Sequence, residues 1–581
     1  MLGGTLISEG STLGGATAIL ALLSVAATAG VGYFVLYPLL WYLWDPLDLW
    51  RFPAPNLLAA TTPLWLMKVN AGQKRSYVVH EEHKKHGDVL RVGPNTLYFN
   101  DPQAVLDIYG HKAISAIAKD TFYDRLAGDF HDIVQERNRA EHSRKRKYLA
   151  NAFALATVVG MEAVIHANLQ NLLDRLDAFI ARSAAAAEEE ETSPDPAVAK
   201  FNIRQWLNYF TLDVIGDMAF GLPMGFVPAG CDTKPAQRLQ GGKGADTYEV
   251  PSTTHALHQG VRYSITLGQV ASFRLNRALK SLARCSSYLY RRSGAQAADD
   301  FENIAVHQLQ RRLATGPPAR ASGDFVGKIL ADRDGTERGL PLGELVAEAT
   351  VLLNAGSDTT AAALTNTVYF LLRNPAALAR LRDELERNVP TDHARTNPRL
   401  VYGDKDVRDP SPTIVAYEHV RSLPYLRACI DESLRLRPPI TYPLPRLVYA
   451  PEGATVAGRH LRQGTVVAVS PYTIHRHPGL YKNPDAYDPG RWFDPDQATH
   501  LKTYNIPFST GSRACIGRHI AIVELQILVS TLMLHYDLRL DDNQELEVFE
   551  RFNANPGPLP VYAKHRTRVP LANADATEAV A

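Results

Sequence analysis

The stretch Phe508-Ser509-Thr510-Gly511-Ser512-Arg513-Ala514-Cys515-Ile516-Gly517 decides the fold of this chain. It sets one cysteine in a loop punctuated by glycine and flanked by arginine, directly before a segment of helical periodicity. Gly511 and Gly517 let the backbone approach a flat partner closely and turn amide N–H groups toward the sulfur. Arg513 brings positive charge against a thiolate and other anions held nearby. A buried porphyrin iron with an axial sulfur ligand requires such a loop, and Cys515 is therefore the candidate metal ligand. A lone cysteine is more often a small buried hydrophobe. Here Phe508, Gly511, Arg513, Cys515 and Gly517 all agree with one template. The run 518–535 continues it with apolar residues at helical spacing, through Ala521, Leu525, Leu528 and Leu532.

On these residues the segment resembles the haem-ligand signature of the cytochrome P-450 family. The resemblance implies a mainly α domain with a small β-rich part, the cytochrome P-450 fold, preceded by one N-terminal transmembrane helix. It implies haem b held by the Cys515 thiolate, and a monooxygenase using NADPH through a partner reductase. Other motifs stand in family order. Ala355-Gly356-Ser357-Asp358-Thr359-Thr360 lies inside an apolar helical pattern over 345–372 and is similar to the family's oxygen-activating segment. Gly356 costs about 1 kcal/mol relative to Ala in a helix interior, which predicts a close approach or a local opening there. Thr359 offers a hydroxyl and Asp358 a carboxylate that can relay protons from solvent. A helix cap is the other reading of these polar residues, and the apolar flanks disfavour it. Val351, Asn354, Ala355, Asp358 and Thr359 recur at intervals of three and four and share one face, expected to look onto the haem. Asn354 is then a polar substrate contact, or the partner of an ordered water or a backbone group.

Glu432-Ser-Leu-Arg435 sits at i and i+3 on a helix predicted over 424–437, ending at Pro438-Pro439. It matches the family's Glu-x-x-Arg motif, which implies a buried structural network completed by Arg491. The same resemblance assigns the haem propionates to His142, Arg146, Arg446 and Arg513, with His142 standing where Trp is common. Arg144, Lys145 and Lys147 surround Arg146 and form either a solvated basic face or a dock for an acidic electron donor. Ile440, Thr441 and Tyr442, just after the Glu432 helix, and Phe552 to Asn555 are further substrate-contact candidates.

The chain has 581 residues, 62 Lys and Arg against 61 Asp and Glu, and four scattered cysteines, Cys231, Cys285, Cys429 and Cys515. That balance gives no sign of a nucleic-acid partner, and the cysteine spacing gives no disulfide framework or zinc cluster. Residues 10–44 carry no charge, and about 20 such residues span a bilayer. Ala27-Thr28-Ala29 could pass for a signal-peptide cleavage site, but no Lys or Arg precedes it and the uncharged run continues past it. Tyr33, Phe34, Tyr37, Trp41, Tyr42 and Trp44 suit the headgroup layer at the far end. We therefore expect an anchor over 1–45, a stiff proline-rich hinge over 46–56, a catalytic domain over 57–568 and a disordered tail over 569–581. Alternation over 89–99 around Gly93-Pro94-Asn95 predicts a β-hairpin. The stretches 184–196 and 231–254 read as mobile surface insertions without a core, and 316–323 as a break between helices.

The resemblance places the domain on the cytosolic face of the endoplasmic reticulum, as a monomer bound to membrane lipid. Its partners there are an NADPH-cytochrome reductase, with a cytochrome b-type protein as a further electron donor. Arg51-Phe-Pro-Ala-Pro-Asn56, Thr62-Pro63-Leu-Trp-Leu-Met67 and Ala140-Glu-His-Ser-Arg-Lys-Arg-Lys147 look like fungal microsomal enzymes near the benzoate 4-hydroxylase-like group. Oxidation of a small molecule in secondary metabolism is the implied task. Hydroxylation of benzoate or another aromatic acid is an alternative, as is a non-oxygenating haem-thiolate isomerase or a membrane haem or electron carrier.

Overall fold

The computed structural model describes residues 24, 32, 36–190, 198–240, 243–270, 273–315, 323–332, 334–390, 400–402, 405–407 and 414–566. The helices that frame the site are α1 (Arg75–His86), α2 (Arg139–Ala150), α3 (Glu162–Glu190), α4 (Ile203–Phe220), α5 (Thr253–Gly268), α6 (Ala295–Ala314), α7 (Leu342–Arg373), α8 (Pro424–Leu436) and α9 (Arg518–His535). Among the strands are β1 (Val89–Gly93), β2 (Thr96–Phe99), β3 (Ile117–Lys119), β4 (Ala199–Asn202), β5 (Lys234–Gln240), β6 (Lys243–Val250), β7 (Arg446–Val448), β8 (Val466–Val469), β9 (Tyr536–Arg539), β10 (Val548–Glu550), β11 (Ala554–Pro556) and β12 (Pro560–His565). Helix dominates, with sheet gathered in small units, as the resemblance implies.

The helix α7 organises the core. Its 32 residues run about 48 Å at 1.5 Å each, and from Ser357 to Val368 nearly every side chain is buried, so it is packed on all sides. Gly356 marks a close approach and not a break. A Cβ there would lie 2.5 Å from Ile215 Cγ1 on α4, so only glycine lets the two helices meet. The helix α9 is likewise buried nearly all round, from Ile520 to Leu534.

The predicted hairpin over 89–99 forms as β1 and β2 and edges a five-stranded sheet ordered β1–β2–β8–β7–β3. The strand β8 runs parallel to β2, while the β8–β7 and β7–β3 pairs are antiparallel. The last register sets Lys119 opposite Arg446. Like charges in that position destabilise a sheet unless something neutralises them. A second sheet, β9–β12–β4, ties the C-terminal strand to the start of α4, and β10 pairs with β11 in a separate hairpin.

Several expectations change. The stretch 231–254 is no coreless insertion: β5 and β6 form a hairpin with Ala236 and Val250 in the main core. Tyr248 fastens it to α6, its hydroxyl donating to Asp300 Oδ1 at 2.8 Å and accepting from Asn303 Nδ2 at 3.0 Å. The strand signal was weak because each strand turns few apolar side chains inward and Gly241-Gly242 divides the pattern. Residues 184–190 continue α3, while 191–197 lie outside the described residues. The proline-rich stretch is non-helical but held. Leu49 and Phe52 are buried, Arg91 N–H donates to Pro53 O at 2.7 Å, and the Asp45 carboxylate accepts from Leu49 N at 2.9 Å.

Of the expected anchor, residues 1–35 lie outside the described residues apart from Ser24 and Gly32, and Tyr37–Trp44 is helical. Among the described residues no helix is long and apolar enough to cross a membrane. The tail over 569–581, and the break over 316–323 except Gly323, also lie outside them.

Candidate active site

The cysteine loop is held by its own backbone. Cys515 N–H donates to Phe508 O at 2.9 Å. Ser509 (φ +57°) and Gly511 (φ +72°) take the left-handed conformation that folds it back. Gly511 also packs against the carbonyl of Tyr109, where a Cβ would lie 2.0 Å from the oxygen. Gly517 is less crowded: a Cβ would stand 3.8 Å from Phe153 Cε1 and 4.0 Å from Cys515 Sγ. Phe508 is half-buried and packs on the main core.

Cys515 keeps accessible surface, yet burial pushes its thiol pKa up. The backbone N–H groups of Gly517 and Arg518, at the start of α9, and the Arg146 and Arg518 guanidiniums pull the thiol the other way. Those donors favour a thiolate once a cation faces it.

Around the loop stands a cluster of basic side chains. His142 and Arg146 lie one turn apart on α2, and Arg146 Nη1 donates to Ala514 O at 2.9 Å. Arg513 donates from Nη1 to Glu136 O at 2.6 Å and from Nη2 to Arg137 O at 3.3 Å. Arg446 Nη1 donates to Pro445 O at 3.1 Å and to the Tyr123 hydroxyl at 3.3 Å. Lys119, which the sequence did not single out, joins them through the β3–β7 register, its Nζ donating to Val134 O. These partners are carbonyls and a hydroxyl, not carboxylates, and the cations depress one another. Burial, then Arg513, Lys119, Arg146 and Arg446, push His142 down to about 3. Burial, then Arg446, pushes Arg513 down to about 10, and Lys119 falls well below the ordinary ammonium range for the same reasons. Among the described residues these basic side chains make no hydrogen bond to a carboxylate, and the two propionates of haem b would supply such partners. The residues present fit that group.

Beneath the loop lies the Glu432 network. Arg435 donates to Glu432 from Nε at 2.9 Å and from Nη2 at 2.8 Å, with both side chains at 0% exposure. Arg491 Nε at 2.9 Å, Trp492 Nε1 at 3.1 Å and Asp488 N–H at 3.0 Å complete the carboxylate's donors. Arg435 spends its remaining donors on the carbonyls of His475, Pro484 and Ala486. His475 carries the network onward: Nε2 accepts from Ile506 N–H at 2.8 Å, so Nδ1–H donates to Arg435 O at 3.0 Å. Ile506 stands two residues before Phe508, so this imidazole connects the network to the cysteine loop.

On α7 the expected common face divides. Ala355 and Thr359 keep accessible surface, Thr359 Oγ1 donates to Ala355 O at 2.7 Å, and Val351 and Asn354 are half-buried. Asp358 turns away from them. It is buried and accepts from His258 Nε2 at 3.0 Å, Arg204 Nη2 at 3.4 Å, Asn553 Nδ2 at 2.8 Å and Asn555 Nδ2. Thr441 is also committed elsewhere, its hydroxyl donating to Glu550 Oε1 at 3.0 Å. Tyr442 is buried between Phe122 and Phe552, with the Arg75 guanidinium 3.4 Å above its ring and its hydroxyl accepting from Gln269 Nε2 at 2.6 Å. Ile440 remains half-buried beside them.

The basic face read from Arg144, Lys145 and Lys147 is largely overturned. Lys145 is buried and binds Glu344 Oε1 at 2.8 Å and Glu348 Oε1 at 2.9 Å, while Arg144 Nη2 binds Glu344 at 2.7 Å. Only Lys147 of the three stands without a role in joining α2 to α7. The acidic partners lie on α7, some 199 residues away for the first Lys145 contact, where sequence spacing gives no warning.

The family model for cytochrome P450 matches residues 59–561. Benzoate 4-monooxygenase from Aspergillus niger is 31% identical, the alignment covering 93% of this chain and 97% of that protein. A cytochrome P450 monooxygenase of Aspergillus oryzae is 29% identical over 87% of this chain and 90% of its own length. A cytochrome P450 monooxygenase of Pyricularia oryzae is 28% identical over 85% of each. Sulfur, cations, buried Glu432 network and near full-length similarity agree: this chain belongs to the cytochrome P450 family and is a monooxygenase.

Proposed function

We propose that the chain inserts one oxygen atom from O2 into a small organic substrate, with electrons from NADPH delivered by a membrane-bound reductase, in fungal secondary metabolism. The observation that carries the reading is the accessible Cys515 sulfur with the Gly517 and Arg518 amides directed at it. When bound, haem would supply the binding and activation of O2.

The chain's own residues do the rest. Cys515, helped by the two amides and Arg146, is the thiolate ligand. His142, Arg146, Arg446, Arg513 and Lys119 would hold the propionates. Ala355 and Thr359 line the oxygen side, where the Thr359 hydroxyl can release the Ala355 carbonyl and hold a proton near the reacting oxygen. Glu432, Arg435, Arg491 and His475 keep the loop rigid, and Asn354 and Ile440 are the remaining substrate contacts. Residues 1–45 anchor the enzyme in the endoplasmic reticulum, and a cytochrome b-type protein serves as a second donor.

A second reading, hydroxylation of benzoate or a related aromatic acid, draws support from the name of the 31% relative. Soret titration of the holoenzyme with benzoate and with a panel of neutral aromatic compounds separates the two. A blue-shifted band with benzoate and substrate-dependent NADPH consumption supports the second reading. Shifts with neutral compounds alone favour the first, and NADPH consumption that ignores every compound would argue for a carrier.

A further inference from the structure

Beside the side of α7 that carries Asp358 lies an open pocket of about 400 Å3 between α4, α5 and the β10–β11 hairpin. Its wall includes Arg204, Asn208, Thr254, His258, Arg551 and Asn555. The volume is room for several waters at roughly 30 Å3 of liquid each. Two buried donors on that wall, Asn208 Nδ2 and Arg551 Nε, have no partner among the described residues, as suits a wall wetted by solvent. Asp358 stands just behind it, with 2% of its side chain exposed against 16% for His258.

We infer that His258 is the gate through which protons from this pocket reach Asp358. The inference rests on the monooxygenase reading, which requires protons on the oxygen side of α7. Each carboxylate oxygen is already occupied, Oδ1 by His258 and Arg204, Oδ2 by Asn553 and Asn555. A guanidinium keeps its protons in proteins, and amide groups do not exchange them on a useful timescale. Imidazole alone among the four can accept a proton at one nitrogen and release one from the other. Burial raises the Asp358 pKa, but His258 and Arg204 outweigh it and hold the carboxyl well below the usual range. Asp358 therefore passes a proton on and does not store it.

The step balances without an oxidant. A solvent proton bonds to His258 Nδ1, the Nε2–H bond breaks, and that proton bonds to Asp358 Oδ1. The ring is left neutral with its proton on Nδ1 and resets by rotation. Asp358 returns to the carboxylate when it gives that proton up on the oxygen side of α7, which its carboxyl reaches by leaving the clamp and rotating, since in this structure it turns away from Thr359. Arg204 from α4, Arg262 on α5, Arg551 after β10 and Asp232 set the local field, and His258 acts on the reaction only through Asp358, as a positioning residue.

The test uses the full-length holoenzyme with its reductase, NADPH and benzoate as probe, comparing wild type, H258Q and H258A. All three should show the same carbon monoxide spectrum. In H258Q, NADPH-driven oxygen consumption should fall about tenfold or more, its solvent deuterium isotope effect should rise, and more hydrogen peroxide should escape per NADPH. Added imidazole should restore H258A and leave H258Q unchanged. Independently of turnover, the infrared carboxylate band of Asp358, identified with D358N, should move in H258A and return with imidazole. Unchanged rate and isotope effect in H258Q, or an Asp358 band indifferent to H258A, would overturn the inference. Absence of a thiolate-type carbon monoxide spectrum in wild type would instead strike the monooxygenase reading, and the infrared arm would still decide the contact.

Discussion

Glu432 accepts five hydrogen bonds, two from Arg435 and one each from Arg491, Trp492 and Asp488. Removing one partner of a buried pair costs about 3–5 kcal/mol, because the other charge is left unpaired. E432Q should therefore yield protein with little bound haem, read as Soret absorbance per polypeptide, and not a loaded enzyme of lower turnover. Glu348 makes a different prediction. Burial, with Asp132 nearby, raises it to about 7 from 4.5 despite Lys145. Between those values the folded protein holds a proton that the unfolded chain releases, so this group's contribution falls as pH rises from about 4.5 to 7. E348Q removes the slope: it should lose roughly 1–3 kcal/mol less stability than wild type across that window. Thermal unfolding at several pH values measures the difference.

At the scale of elements, the packing of α4 against α7 sets the central layer, and it turns on one glycine. In G356A the helix gains about 1 kcal/mol of propensity, but the new methyl meets Ile215 at 2.5 Å. Overpacking of that kind costs about 1–3 kcal/mol, so G356A should melt lower than wild type. In the double variant G356A/I215A, which removes the Cγ1 and Cδ1 atoms that the new methyl meets, the loss should be smaller than the sum of the two single variants, and strict additivity would show that the contact is not the cause. Elements whose signals are local were legible in the sequence: α9 begins at the residue after Gly517, α8 ends within one residue of its predicted stop, and the 89–99 hairpin has its turn where Gly93-Pro94-Asn95 required it. The β5–β6 hairpin was not, because its face is completed by α6 and carries little apolar pattern of its own.

Across the whole molecule, the candidate site is assembled from segments far apart in the chain, and that governs what a sequence can disclose. Cys515, Arg513 and the Glu432 motif carried their chemistry in short spacings. Lys119 and His475 did not, since a strand register brings the first to Arg446 and a loop brings the second to Ile506. Asp358 was readable as a carboxylate on the central helix, but its direction was not. Its clamp comes from α4, α5 and the C-terminal hairpin. Lys145 was misread for the same reason. The molecule is thus a thiolate loop braced from below by Glu432 and faced by cations that await the charge of a cofactor. The carbon monoxide difference spectrum of the reduced C515S variant, beside wild type at equal expression, tests this most directly. Wild type should show the red-shifted Soret band of thiolate ligation and C515S should lack it, and a red-shifted band surviving in C515S would contradict the account.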